Sequence, residues 1–355
     1  MIGLTRIDRY VAGEVLRGYA VVAGILVALF SLLAFREELE SVGESSYDAL
    51  RALWFVAMTT PARILRLLPF ITLFGAALAL WQLARRSELV VLRAAGLGLA
   101  RIARATMVPG LALLVLTPLA HEYVAPALYA GATLSRDVAL GRADEVAGRG
   151  FWSRSGQTLV EVGALEHGRV PVDVRIYRLS PDAGVEEVIT AASADPAQDG
   201  SWRLVDARRR VFAENRMSVE EIGPLRWRPW WADDTFLHAP PVDSLSFTDL
   251  AGYIDYLERT GQPSLRWELA YWRMWMLPVS ALLTGLLAVP IALSGPRHGS
   301  LGYVLLALAG GLVYYLGDQI VANAGVVAGV PPVLVALVPP AILAGVVTLV
   351  LRRAH

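Results

Sequence analysis

ATMVPGLALLVLTPLAHEYVAPAL, residues 105–128, contains one acid, Glu122, and no arginine. It has the length of about 20 residues that an α-helix needs to cross a bilayer core. Farther along, VDVRIYRL, residues 172–179, alternates apolar and polar side chains as a half-buried strand does. The change of period between these two stretches decides the fold. Working outward, five more apolar runs lie near 18–35, 67–84, 274–294, 299–321 and 330–351. Three runs thus stand on each side of a polar stretch, Arg136 to Leu265, filled with charges, short alternating runs and turn residues. The expected fold is an integral membrane α-helical protein with six transmembrane helices, three plus three, and an inserted all-β jellyroll-like domain. The expected division is 1–128 for helices one to three, 129–268 for the β domain with connecting helices, and 269–355 for helices four to six. One span suffices for an anchor, so a membrane domain cut in half by a soluble one points to transport or mechanical coupling.

Composition narrows the function classes. Hydrophobic residues make up 55 % and mean hydropathy is +0.49, high for a chain that also holds a water-exposed domain. The 32 basic and 32 acidic residues cancel, which gives no electrostatic case for a nucleic-acid partner. Every basic residue is arginine. Without lysine there is neither a P-loop lysine nor a Schiff-base lysine, so any nucleotide hydrolysis that drives this protein belongs to another subunit. Cysteine is absent, which excludes disulfides, thiolate nucleophiles and cysteine metal sites. The first apolar run exceeds the usual signal-peptide core, and Phe35-Arg36-Glu37-Glu38 offers no small-residue cleavage site, so it reads as a retained span.

Arginines orient the spans. Arg6, Arg9 and Arg17 precede or open the first span. Arg85, Arg86, Arg93, Arg101 and Arg104 stand between the second and third against the single acid Glu88. Arg297 lies between the fourth and fifth, and Arg352 and Arg353 follow the sixth. All four segments fall on one side of a six-span arrangement. The opposite side holds the loop 36–63, where Glu37, Glu38, Glu40, Glu44 and Asp48 outnumber the arginines, together with the insert and the segment Asn323 to Pro332. Both termini are therefore expected in the cytoplasm and the insert outside it.

Within the insert, Phe151 to Val162 reads as a hairpin with Ser155-Gly156 at its turn, and Val172 to Leu179 as a strand. The turn Ser180-Pro181-Asp182-Ala183-Gly184 follows, then Val185 to Ala192, Trp202 to Val205 and Arg208 to Phe212. Short strands at this spacing indicate a sandwich or jellyroll-like domain. Ser246 is a plausible N-cap for a short amphipathic helix that ends before Gly261, and helix resumes near Ser264. Catalytic patterns are missing. His121-Glu122 lacks the second histidine of a zincin motif because Ala125 occupies that place, and Asp233-Asp234 would point to opposite faces of a strand. No catalytic residue, metal site or cofactor is expected.

The segment 85–96 is different. Leu89, Leu92 and Ala95 are apolar at helical spacing with Glu88 and Arg93 among them, Ser87 precedes as a possible N-cap, and Gly96 follows as a C′ residue. It predicts a helix of about two turns at the membrane surface, either an ordinary interfacial helix or a docking element for a cytoplasmic partner. Arg66 sits just before the second run and can snorkel to the outer interface. Asp318 and Gln319 are placed at the outer end of the fifth span.

These residues and their order resemble the LptF/LptG permeases of the lipopolysaccharide export system, across essentially the whole chain. The matching features are Asp8-Arg9-Tyr10, Gly43 with Ser46-Tyr47-Asp48-Ala49-Leu50, and Arg86-Ser87-Glu88-Leu89-Val90-Val91 with Gly96. Glu122 with Val124-Ala125-Pro126, Gly295-Pro296-Arg297, Asp318-Gln319-Ile320 and Gly329-Val330-Pro331-Pro332 complete them. The Ser-Tyr-Asp loop and the Asp-Gln-Ile triplet are nearer to the LptG branch than to its LptF sister.

The resemblance implies a multi-pass protein of a Gram-negative inner membrane with a periplasmic β domain. Implied partners are an LptF-like permease, two copies of the LptB ATPase, LptC with its own β domain, and the periplasmic bridge protein LptA. The implied activity is ATP-driven extraction of lipopolysaccharide from the outer leaflet. Ser87, Glu88, Leu89, Leu92, Arg93 and Gly96 would form the ATPase-coupling helix. Relatives commonly carry lysines where this chain has Ala34 and Ala62. Nearby Arg36, Arg63 and Arg66, with Arg136, are the candidate phosphate-facing cations. Phe70, Leu73, Phe74 and Ala77 are the candidate apolar wall, and Asp318 is a further candidate. A membrane-bound lipid-modifying enzyme is the rival class. It would call for a cluster of intramembrane acids or histidines, and the sequence has none. Mechanotransmission permeases usually have four spans.

Overall fold

The computed structural model describes residues 6–96, 98–142, 149–166, 170–180, 184–197, 200–213, 216–230, 241–293 and 299–353. The chain divides into two compact units, one of Met1–Glu40, Ala52–Ala132 and Leu265–His355, the other of Ser41–Arg51 and Thr133–Ser264. Asp233-Asp234, Gly295-Pro296-Arg297 and the centre of the 180–184 turn lie outside the described residues.

The first unit is helical. Helix α1 is Arg6–Leu39, α2 is Ala49–Arg85, α3 is Glu88–Ala94 and α4 is Leu99–Leu119. A single π-helical turn, Ala120–Val124, joins α4 to α5, Ala125–Ala139. After the insert come α7 (Leu265–Leu293), α8 (Gly299–Val327) and α9 (Pro332–Arg353). Among the described residues, six helical stretches are long and apolar enough to cross a membrane. They outrun the apolar windows. At ~1.5 Å per residue the 37 residues of α2 extend well past a hydrocarbon core of ~30 Å.

That length corrects the expected outer loop 36–63, because residues from 49 onward are already helix. Asp48 caps the start, accepting from the Arg51 amide at 2.9 Å. Buried Ala52, Val56 and Thr59 then recur at helical spacing. Pro61 lies inside this helix. The hydroxyls of Thr59 and Thr60 donate to the carbonyls of Phe55 and Val56 in the turn before it, at 2.8 Å each. Hydroxyl side chains of this kind commonly accompany proline in membrane helices.

Helices α1 and α2 cross at two glycines. A Cβ on Gly18 would stand 2.2 Å from the Gly75 carbonyl oxygen, and one on Gly75 would stand 2.8 Å from the Gly18 backbone. Small residues bring backbones together where the hydrophobic effect cannot pull helices to one another. Around the crossing, Val11, Val15, Tyr19, Leu73, Leu80, Leu83, Ile102 and Val289 form the core. Thr72 of α2 and Thr284 of α7 share a buried hydrogen bond of 2.9 Å.

The second unit is one antiparallel sheet. Its strands are β1 (Arg149–Ser155), β2 (Thr158–Glu166), β3 (Val170–Leu179), β4 (Val185–Pro196), β5 (Trp202–Val205), β6 (Arg208–Ala213), β7 (Arg216–Glu221) and β8 (Leu225–Trp227). The order is β1-β2-β3-β4-β5-β8, with β6 and β7 branching from β4. Strand β4 pairs with β6 over Glu187–Thr190 and with β5 over Ser193–Pro196. This fork makes one continuous jellyroll-like sheet. The expected hairpin is present, with Phe151 opposite Val162 and Gly156 at φ 56° in its turn. Alternate positions Val160, Val162, Val174, Ile176, Ala191 and Leu204 build the core.

Helix α6, Phe247–Arg259, begins with a capping box between Ser246 and Asp249. Its Tyr256 packs on the sheet core and bonds Ser153 at 3.0 Å. Buried Glu187 is held by Arg178 and Arg209 together. On the outer face Tyr177 donates to Glu161 at 2.9 Å. Desolvation, then that bond, raises the phenol above its usual pKa.

Candidate functional site

Arg63, Arg66, Phe70 and Phe74 follow one another on α2 at steps of three, four and four, so they share a helical stripe. The Arg63 guanidinium folds back on its own helix, donating to the Val56 carbonyl at 3.0 Å and to Thr59 Oγ1 at 2.6 Å. Arg66 is exposed one turn farther on. Phe70 meets Phe74 at 6.0 Å between centroids and Tyr315 of α8 at 5.8 Å. Gly311, one turn from Tyr315, leaves room for Phe74, whose ring would be 3.3 Å from a Cβ there. Span two therefore presents its aromatics to span five. Leu73 departs from the expected wall. It is fully buried in the helical core, where its side chain reaches Gly311 of α8 beside the Phe74 ring.

Asp318 also departs from expectation. It lies inside α8, which continues to Val327, and its carboxylate forms an ion pair with Arg273 of α7. Both side chains are largely covered, at 34 % exposure for arginine and 20 % for aspartate. An acid here is tolerated because a guanidinium faces it, not because water is close. Sequence reading missed Arg273, placed just ahead of the fourth apolar run. The available signal was a lone arginine inside Trp272-Arg273-Met274-Trp275, on the helix that precedes the one bearing a lone aspartate.

The remaining cations lie on other helices. Arg36 is exposed in the last turn of α1, where a positive charge suits the helix C-terminus. Arg136 belongs to the sheet-containing unit, and its guanidinium lies 6.0 Å from the Tyr47 ring centroid. In the same unit Ser46 Oγ donates to the Ala139 carbonyl at 3.0 Å.

Helix α3 is anchored by Leu89, which is buried, and by half-buried Leu92. Val90, Val91 and Arg93 are exposed. Gly96 ends the segment at φ 86°, a left-handed conformation that favours glycine. Ser87 differs from the expected cap. It sits at φ 60°, and its side chain makes no capping bond, because that backbone conformation aims the hydroxyl away from the helix amides. Ala95 is exposed and not part of the buried side. Two contacts tie this region to α1: Tyr10 donates to Glu88 at 2.6 Å, and Arg101 at the start of α4 pairs with Asp8 at 3.1 Å.

Six long apolar helices, split three and three by a sheet-bearing unit, with a short surface helix between the second and third, define a multi-pass membrane protein. The chain matches the family described as lipopolysaccharide export system permease LptF/LptG over residues 9–353, and it belongs to that family. It is 28 % identical to the lipopolysaccharide export system permease protein LptG of Escherichia coli K12 over 352 residues, 94 % of each chain. The LptG protein of Haemophilus influenzae is also 28 % identical, over 341 residues and 95 % of each chain.

Proposed function

We propose that this chain is an LptG-type permease subunit of an ATP-driven lipopolysaccharide exporter in a Gram-negative inner membrane. In this reading it extracts lipopolysaccharide from the outer leaflet and passes it to a periplasmic β-jellyroll bridge. The family match over nearly the full length, with relatives carrying the LptG name, supports the reading best. Its partners would be an LptF-like permease, two LptB ATPase subunits, LptC and LptA. The substrate face would combine Phe70 and Phe74 with Arg36, Arg63 and Arg66, and Arg136 is a separate candidate cation in the sheet-containing unit. Affinity purification followed by reconstitution tests this: an ATPase should co-purify, and lipopolysaccharide release should require ATP. Recovery of the chain without any ATPase would sink the exporter reading.

The arginine distribution supports a topology with both termini in the cytoplasm and the sheet outside it. The native chain has no cysteine, so single cysteines report cleanly. Cysteine at exposed Glu220 should react with an impermeant thiol reagent in intact spheroplasts, and cysteine at exposed Val90 only after lysis. External labelling at position 90 would reverse the topology.

Helix α3 is the proposed ATPase-docking element, with Val90, Val91 and Arg93 on its open side. Glu88→Arg should reduce ATPase co-purification by at least roughly tenfold if the carboxylate becomes desolvated on docking. Tyr10→Phe removes only the α1 tether and should leave assembly within about twofold, as a single exposed contact does. Normal assembly of Glu88→Arg would make α3 an ordinary interfacial helix.

A further inference from the structure

On strand β5, Trp202 and Leu204 are buried, so Arg203 between them faces outward. On the edge strand β8, Leu225 and Trp227 pack on the core, and Arg226 between them faces outward. Arg203 and Arg226 are direct register partners. Exposed Arg228 continues the alternation just past β8. Opposed side chains on neighbouring strands stand about 5 Å apart at Cβ and diagonal ones about 7–8 Å. Three guanidinium groups therefore share one small area of the outer face.

Like charges placed directly opposite destabilise a sheet, and among the described residues no other register pair sets like charges against each other. Arg142 pairs with Glu44, Arg175 with Glu161, Arg178 and Arg209 with Glu187, Arg208 with Glu221, and Arg259 with Asp255. Among the described residues Arg203, Arg226 and Arg228 have no ion pair. The acid in register with Arg203 on its other side is Asp195 of β4, which is exposed and makes no ion pair with it. The backbone beneath them is held firmly. Trp202, Trp227 and Trp230 contact in series at 5.6 and 5.5 Å under the two strands.

We propose that Arg203, Arg226 and Arg228 form a binding site for a phosphorylated sugar, the headgroup chemistry of the proposed lipid substrate. The planar guanidinium fork matches phosphate oxygens in pairs. A bound phosphate dianion would also remove the repulsion between the opposed arginines. The choice of occupant rests on the exporter reading; the anion site itself does not.

The test uses the full chain in nanodiscs of neutral phosphatidylcholine, without ATP or partner subunits. The probe is an acyl-free glucosamine disaccharide carrying two phosphates, compared with the same sugar without phosphate. The phosphorylated probe should bind, more weakly as salt rises, and Arg203→Gln with Arg226→Gln should reduce its affinity on the order of tenfold or more. Both side chains are exposed, and an unchanged thermal midpoint would show that the sheet persists. Unchanged affinity in the double variant overturns the site. So does an anion affinity that emerges only in Asp233→Asn with Asp234→Asn, which would make the chain's own acids the occupant. Arginine-dependent binding to phosphatidylglycerol vesicles without sugar binding would assign the patch to a membrane surface and overturn the proposed ligand. Failure of an ATPase to co-purify bears on the exporter reading alone, since this assay includes no ATPase.

Discussion

Asp318→Leu is expected to be the most damaging polar substitution in the helical unit. It would leave the Arg273 guanidinium facing apolar side chains between α7 and α8, where its partner now sits. Removing one member of a well-buried pair typically costs 3–5 kcal/mol. With a third of the arginine and a fifth of the aspartate exposed, solvent screening reduces the expectation to roughly 2 kcal/mol. The thermal midpoint of the purified chain in detergent should fall by several degrees. The double variant Arg273→Met with Asp318→Leu removes both charges and should recover most of the loss, because the residual cost is an uncompensated charge and not a missing attraction. The cycle is measured by the midpoints of the two single variants, the double variant and the parent. A double variant at least as unstable as Asp318→Leu would show that the carboxylate acts through something other than Arg273.

Gly75→Val is expected to disrupt the helical unit more than any other single apolar change considered. Its Cβ would stand 2.8 Å from the Gly18 backbone, from the Tyr19 Cα and from the Tyr19 ring. Backbone cannot move aside as a flexible side chain can, so α1 and α2 must separate along their crossing. Overpacking usually costs 1–3 kcal/mol, and contact with backbone on two residues places this variant at roughly 3 kcal/mol or above. Gly24→Ala on the same α1 helix meets nothing within 4 Å and should be neutral or slightly stabilising, since alanine is the better helix former. Midpoints of the two variants side by side check the argument. A Gly75→Val chain as stable as the Gly24→Ala chain would mean that the crossing is looser than the glycine contacts imply.

The six spans and the β insert were legible because each is written in one strong period. Apolar runs of bilayer length have few soluble alternatives, and Val172 to Leu179 alternates so regularly that its pairing with both β2 and β4 follows the pattern. The capping box at Ser246 was also readable, since its hydrogen bonds join residues three apart. Ser87 offered the same local cue and failed, because the chain leaves α2 through a left-handed turn that the residue type alone does not reveal. The loop assigned to 36–63 was misread for a related reason. Its charges suggested water, whereas Asp48 and the Ala52, Val56, Thr59 spacing start a helix that simply continues beyond the membrane core.

The candidate site was only partly legible. Arg63, Arg66, Phe70 and Phe74 could be grouped because helical spacing is a local property. Their division of labour could not be: Arg63 turns back to its own helix, Phe70 reaches Tyr315, and Leu73 enters the core.

By itself, then, the sequence determined the six apolar spans, the place of the β insert between them, the spacing that groups residues along α2, and that this chain carries no lysine or cysteine chemistry. Periodicity, length and composition are sums over neighbours along the chain, so they survive without coordinates. Tertiary structure decided the Arg273–Asp318 pair, the Gly18–Gly75 crossing, the Tyr10–Glu88 tether and the fork at β4. Each joins residues far apart in sequence, and its energy depends on ångström-scale approach, which no local pattern records.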